Sequence, residues 1–190
     1  MIVISLVLLF VVPALVQFFY EKNARVIELK SEEVAPLLWN EEMSEEYDDL
    51  KIIKLKAKSK DETLSNNKIN LTNNFYYIPK TNEVFYGIWY SHWNDYAKQD
   101  GNNFIITAKN KDGDKFDGIY GITSAGTFDI FEYHSINKVK KVSDINRLTL
   151  QLHPIIETPE RPEQGEAIQS EIILEVQKVG TKDDFRSVLD

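Results

Sequence analysis

Residues 89–96, Trp-Tyr-Ser-His-Trp-Asn-Asp-Tyr, concentrate more recognition chemistry than any other stretch, and two of the chain's three tryptophans fall there. Trp89, Tyr90, His92, Trp93 and Tyr96 combine broad apolar rings with polar edges, the kind of side chain enriched where proteins grip a partner, a peptide or a sugar. Alternate residues of the same stretch also suit the core and rim of a β barrel.

The remaining chemistry-bearing residues form no recognisable constellation. His92, His134 and His153 are never four residues apart, so no helical zinc pair is predicted. Asn110-Lys-Asp112-Gly-Asp114-Lys-Phe-Asp117-Gly118 comes nearest to a calcium loop, but Lys115 and Gly121 stand where such a loop needs glycine and glutamate. A hairpin turn is the better reading of it. Around Ser124, Gly121-Ile-Thr-Ser-Ala-Gly126 has the wrong spacing for a nucleophile elbow, and no glycine-rich phosphate loop is present. Asn70-Leu-Thr72 matches an N-glycosylation acceptor, a triplet that chance often supplies. No catalytic residue, metal site or cofactor is therefore expected, and the chain reads as a non-enzyme.

Composition narrows the partners. The chain has 190 residues, with 22 Lys plus Arg against 30 Asp plus Glu, for a formal net charge of -8. That balance disfavours nucleic acid, whose phosphates need a basic surface. The absence of cysteine removes disulfides, thiolate chemistry and cysteine-ligated zinc.

Residues that could carry binding must be positioned by what surrounds them. Residues 1–20 contain no charged side chain and are strongly polar only at Ser5 and Gln17. At about 1.5 Å per residue they match one hydrocarbon core, so a single transmembrane helix is predicted, with the bilayer and other membrane subunits as partners. Phe18, Phe19 and Tyr20 suit the headgroup level. Lys22, Arg25 and Lys30 follow the apolar run, which favours a cytoplasmic over an external soluble domain. Residues 21–50 read as a helical stalk. Within it Val34, Leu37, Leu38, Trp39, Met43, Tyr47 and Leu50 recur at helical spacing opposite an acidic face.

From Lys51 the period shifts to two. Strands are predicted over 51–58, 75–78, 83–90, 103–109, 115–122, 127–133, 147–153 and 170–178, with Asp112-Gly113 as a hairpin signal. Residues 61–74 and 154–169 read as loops, and 136–142 as one more strand or a turn. Thr181–Leu189 reads as a closing helix, capped by Thr181 and acidic in its first turn. Both faces of 83–90 are apolar: Val84, Tyr86, Ile88 and Tyr90 on one, Phe85, Gly87 and Trp89 on the other. One face should pack inside a barrel. The other should lie beneath the 31–50 helix, with Trp39 or Leu38 near Trp89.

The stretch Ile130-Phe-Glu-Tyr-His-Ser-Ile136-Asn-Lys-Val139 resembles the aromatic–x–x–Ile–x–x–Val segment of bacterial pleckstrin-homology-like domains. Glu171-Ile-Ile-Leu-Glu-Val176 followed by 181–189 resembles how those domains end. The resemblance covers about residues 51–190. It departs from the pattern in the long 154–169 loop and in the strands before Asn103. It implies a non-enzymatic domain of the kind often found beside membrane spans.

The expected fold class is an N-terminal transmembrane helix (1–20), a helical stalk (21–50) and an α+β soluble domain (51–190). That domain should be mainly antiparallel β, PH-like or a small barrel, closed by a C-terminal helix. The expected function is a single-pass accessory or scaffold subunit of a membrane complex. The alternative is an outward-facing protein that binds sugar or peptide through residues 89–96.

Overall fold

The computed structural model describes residues 2–32, 49–97, 103–156 and 163–185, with side chains from residue 11 onward except those of 120 and 122. Helix α1 (Ile2–Ser31) comes first. The strands follow in chain order as β1 (Ile52–Lys60), β2 (Ile69–Leu71), β3 (Asn74–Ile78), β4 (Glu83–Ser91), β5 (Phe104–Asn110), β6 (Lys115–Ala125), β7 (Asp129–Ile136), β8 (Arg147–Ile156), β9 (Glu163–Gln164) and β10 (Ile168–Gly180). A single helical turn, α2 (Thr63–Asn66), precedes β2.

Every pairing in the sheet is antiparallel, in the order β10-β1-β3-β4-β7-β6-β5-β8. Strand β8 then pairs with β10, which closes eight strands into a barrel; β2 adds to β4 and β9 to β8. Closure satisfies the wall's backbone groups and removes the edges that an open sheet must protect. Strand β10 is long enough to serve two neighbours, pairing its first half with β8 and its second with β1.

Side-chain alternation sorts the residues into two clusters. The interior takes Tyr77, Tyr86, Tyr90, Phe104, Ile136, Leu150 and their neighbours from all eight strands. Leu64 of α2 joins the same interior. Outside the wall, Phe85, Phe131, Tyr133, Ile78 and Tyr76 form a second cluster with Val26 and Leu29 of α1, and Trp89 packs against it. The apolar outer face of β4 is thus covered by α1. The Trp39 and Leu38 contacts predicted for it fall outside the described residues, as does most of the predicted 31–50 helix.

The fold class expected from the sequence is corrected in two respects. Among the described residues no helix is long and apolar enough to cross a membrane. Helix α1 does not stop at Tyr20. It runs 30 residues without a break at Pro13, and its charged residues from Glu21 onward belong to the same helix. The charged continuation lies against the barrel rather than forming a free stalk. The single transmembrane span, the single-pass localisation and the sidedness argued from Lys22, Arg25 and Lys30 are therefore withdrawn.

The second correction concerns the C-terminus. Where a closing helix was expected, a single 3₁₀ turn forms at Lys182–Phe185, and residues 186–190 lie outside the described set. The barrel closes by the β8–β10 ladder, so no helix is needed to seal it. Phe185 instead packs edge-on against Tyr76 at 6.0 Å, on the outside of the wall. Smaller differences lie in the loops. Strand β8 continues through Pro154 to Ile156, and the stretch read as a possible strand at 136–142 ends in a 3₁₀ turn at Val142–Asp144.

Candidate functional site

The five residues singled out in the sequence do not converge. Strand alternation sends Tyr90 inward, where it is fully buried, and leaves Trp89 on the outside, parallel to Phe131 with centroids 6.3 Å apart. His92 begins the turn beyond β4. Its Nε2 lies 2.9 Å from the Gly126 carbonyl, so that nitrogen carries the hydrogen and donates it. Trp93 is 75% exposed and leans on Phe128 at 5.9 Å. Tyr96 folds back over the barrel mouth onto Phe104 at 5.6 Å, and its hydroxyl donates to Asn67 Oδ1 at 3.3 Å. The stretch therefore contributes to the core, the outer wall and the rim; Trp93 with Phe128 is its most exposed aromatic surface, and Trp89 is half-buried.

The interior holds a polar group that sequence reading missed. Glu132 Oε1 accepts hydrogen bonds from the Tyr90 hydroxyl and from the Asn103 backbone N–H at 3.1 Å. Its Oε2 lies 2.9 Å from His134 Nε2, and Asn103 Nδ2 donates to the Tyr90 hydroxyl at 2.8 Å. All four residues are buried. The signal was present in the sequence: on the period of two that makes Ile130 and Ile136 inward, Glu132 and His134 must also face in. A carboxyl, an imidazole and a phenol here lie within hydrogen-bond reach of one another in the barrel interior. Their hydrogen bonds tie β4, β7 and the start of β5 together, since buried polar groups must be hydrogen-bonded to be tolerated. Nearby, the Tyr86 hydroxyl is buried without a hydrogen-bond partner, and burial together with the Glu132 carboxylate raises its pKa.

Three surface features remain. The first is the seat of α1. Asn23 Oδ1 accepts the Thr127 N–H at 2.8 Å, Asn23 Nδ2 reaches Thr127 Oγ1 at 3.0 Å, and Lys30 pairs with Asp129 at 2.7 Å. Gly126 permits this approach, because a Cβ there would lie 2.7 Å from Asn23 Oδ1. The helix ends at Glu32, whose backbone is left-handed at φ 58°. Its carboxylate accepts the N–H groups of Asn73 and Asn74, each at 2.7 Å, and holds that conformation. Beyond this clamp α1 leaves apolar side chains uncovered: Val16, Phe18 and Tyr20 are 58–70% exposed.

The second feature is a groove of about 370 Å³ where the end of β1, α2, β2 and β10 meet. Lys60, Glu62, Asn70, Asn73 and Trp89 line it. Lys60 Nζ donates to the Leu71 carbonyl at 2.6 Å and to Asn73 Oδ1 at 2.7 Å, and burial lowers its pKa. The third is a smaller hollow of about 240 Å³ on the outer face of β5, β6 and β8, beside Lys109, Lys115 and His153. The Asn110–Asp114 segment is a hairpin turn: Asn110 Oδ1 accepts the Asp112 and Asp114 N–H groups, and Gly113 takes φ 87°. Among the described residues no group of acidic and histidine side chains could hold a metal ion. No family model, curated protein or solved structure matches the chain.

Proposed function

We propose that this protein is a non-enzymatic accessory or scaffold subunit that works by binding a partner protein, with α1 as the contact element. One observation carries the reading. The last turns of α1 are fixed to the barrel by Asn23, Val26, Leu29, Lys30 and Glu32, while the turns before them hold out Val16, Phe18 and Tyr20 to solvent. Large contiguous apolar surface on a folded protein marks a place that something covers. A rigidly held helix is a suitable anchor, because little further order is lost when a partner encloses its apolar turns, which are exposed on all sides between Val11 and Tyr20. The acidic net charge makes a nucleic acid an unsuitable partner.

Site-specific photo-crosslinkers at Val16 and Tyr20, compared with one at Asp112 in the distant hairpin, test this in cells. The expected outcome is one defined protein adduct from the helix positions and none from the hairpin. Adducts with lipid alone, or no adduct from the helix, would overturn the protein-partner reading.

A further inference from the structure

The groove beside Trp89 has a chemistry of its own, separate from the helix contact. We infer that it is a carbohydrate-binding site that receives a pyranose unit between the Trp89 side chain and the polar groups of Lys60, Glu62 and Asn70. Its volume of about 370 Å³ falls within the range typical of small-ligand sites, about 300–1,000 Å³.

The lining decides the ligand class. Lys60 has three N–H donors and spends two of them, on Leu71 and Asn73, which leaves one for a guest. The Asn70 amide makes only a long 3.4 Å contact, to the Trp89 carbonyl, so most of its capacity is open. The Glu62 carboxylate makes no capping bond to α2 and offers acceptors on the same wall. Asp61 contributes little, because Ser170 Oγ, Thr63 N and Glu171 N already occupy its oxygens at 2.9, 3.0 and 2.6 Å.

Open donors and an open acceptor thus lie along one space that Trp89 also lines. An anion would meet Glu62, and an apolar guest would strand the third Lys60 donor. Vicinal hydroxyls donate and accept at once, and the apolar C–H face of a sugar ring suits an aromatic wall. The groove is also kept in shape by α1. Glu32 accepts from both the N–H and the Nδ2 of Asn73 while Asn73 Oδ1 holds Lys60, so the docked helix end orders a groove residue.

The test is a titration of the full chain, followed by backbone amide NMR shifts. The probes are tetrasaccharides of glucose, galactose, mannose and N-acetylglucosamine, each used singly. At least one should saturate at concentrations below about 10 mM, with shifts centred on residues 62–71. An Asn70→Ala/Glu62→Gln double variant, checked for an unchanged melting temperature, should weaken that binding about ten-fold or more. Three outcomes would overturn the inference: no saturation by any probe, saturation that the double variant leaves intact, or shifts centred on Trp93 and Phe128. None of these outcomes bears on the crosslinks expected from α1, so the two readings stand or fall separately.

Discussion

The two faces of the β4–β7 wall are built from the same strands and held in different ways. The inner face presents Val84, Tyr86, Ile88 and Tyr90 opposite Ile136, His134, Glu132 and Ile130, and all eight strands supply its packing partners. The outer face presents Phe85, Gly87 and Trp89 opposite Ser135, Tyr133 and Phe131, and α1 supplies its cover, with Phe185 at one margin. The inner face cannot be exposed without opening the barrel. The outer face needs only the loss of a helix seated through a few side chains. A wall that is apolar on both sides therefore favours docking of α1, and docking leaves Val16, Phe18 and Tyr20 of that helix exposed.

Substitutions separate the two faces by size and by kind of effect. The largest loss is expected inside. Glu132→Ala leaves Tyr90, Asn103 and His134 without the acceptor they share, and should cost about 3–5 kcal/mol in urea unfolding. A cost under about 1 kcal/mol would mean that the network does not tie the strands together. Outside, Trp89→Ala should cost about 2–3 kcal/mol. That is less than the roughly 3–5 kcal/mol expected when Trp89 is read as fully buried under a helix, because the structure leaves it only half-buried. Gly87→Ala places a Cβ 2.1 Å from Phe131 Cζ, so the ring must swing outward beneath α1. It should cost about 1–2 kcal/mol and speed hydrogen exchange of the Val26 and Leu29 amides more than those of β5.

Two smaller effects sharpen the contrast. The Asp61 carboxyl is raised by burial but lowered further by hydrogen bonds from Glu171, Thr63 and Ser170, leaving its pKa below the usual value. A depressed carboxyl contributes stability above its unfolded pKa and loses it as pH falls through the folded one. The wild-type chain should therefore lose slightly more stability than Asp61→Asn below about pH 4. An identical acid profile for the two would contradict this. Tyr86→Phe removes a buried hydroxyl that has no partner and should be neutral or slightly stabilising. A loss above about 1 kcal/mol would show that the hydroxyl is engaged.

Much of the β architecture was legible because strand alternation and turn chemistry are local. Asp112-Gly113 marked the β5–β6 hairpin, and the two-faced pattern of 83–90 announced that something must cover the outside. The covering element was not legible, since a long apolar N-terminal run reads locally as a span. The seat is specified by Asn23, Lys30 and Gly126, and their partners lie about a hundred residues away. Closure of β8 on β10 joins strands near each other in the chain, Leu152 to Ile168 and Arg147 to Ile173, but no local pattern names β10 as the second neighbour of β8. At the candidate site, a run of aromatics attracted attention because sequence shows them adjacent, whereas alternation and a turn scatter them. Lys60, Glu62 and Asn70 meet Trp89 only because β2 pairs with β4 beside the end of β1.

The central claim is that α1 is seated on the outer face of the wall, and the most direct measurement is the contact between Val26 and Gly126. In the structure a Cβ built at Gly126 would lie 3.3 Å from Val26 Cγ2. The full chain should therefore give strong nuclear Overhauser effects between the Gly126 Hα protons and the Val26 methyl groups. The Val26 and Leu29 amides should also exchange more slowly than those of an isolated α1 peptide. Absence of the Gly126–Val26 effects, with α1 amides exchanging as fast as in the peptide, would contradict the account.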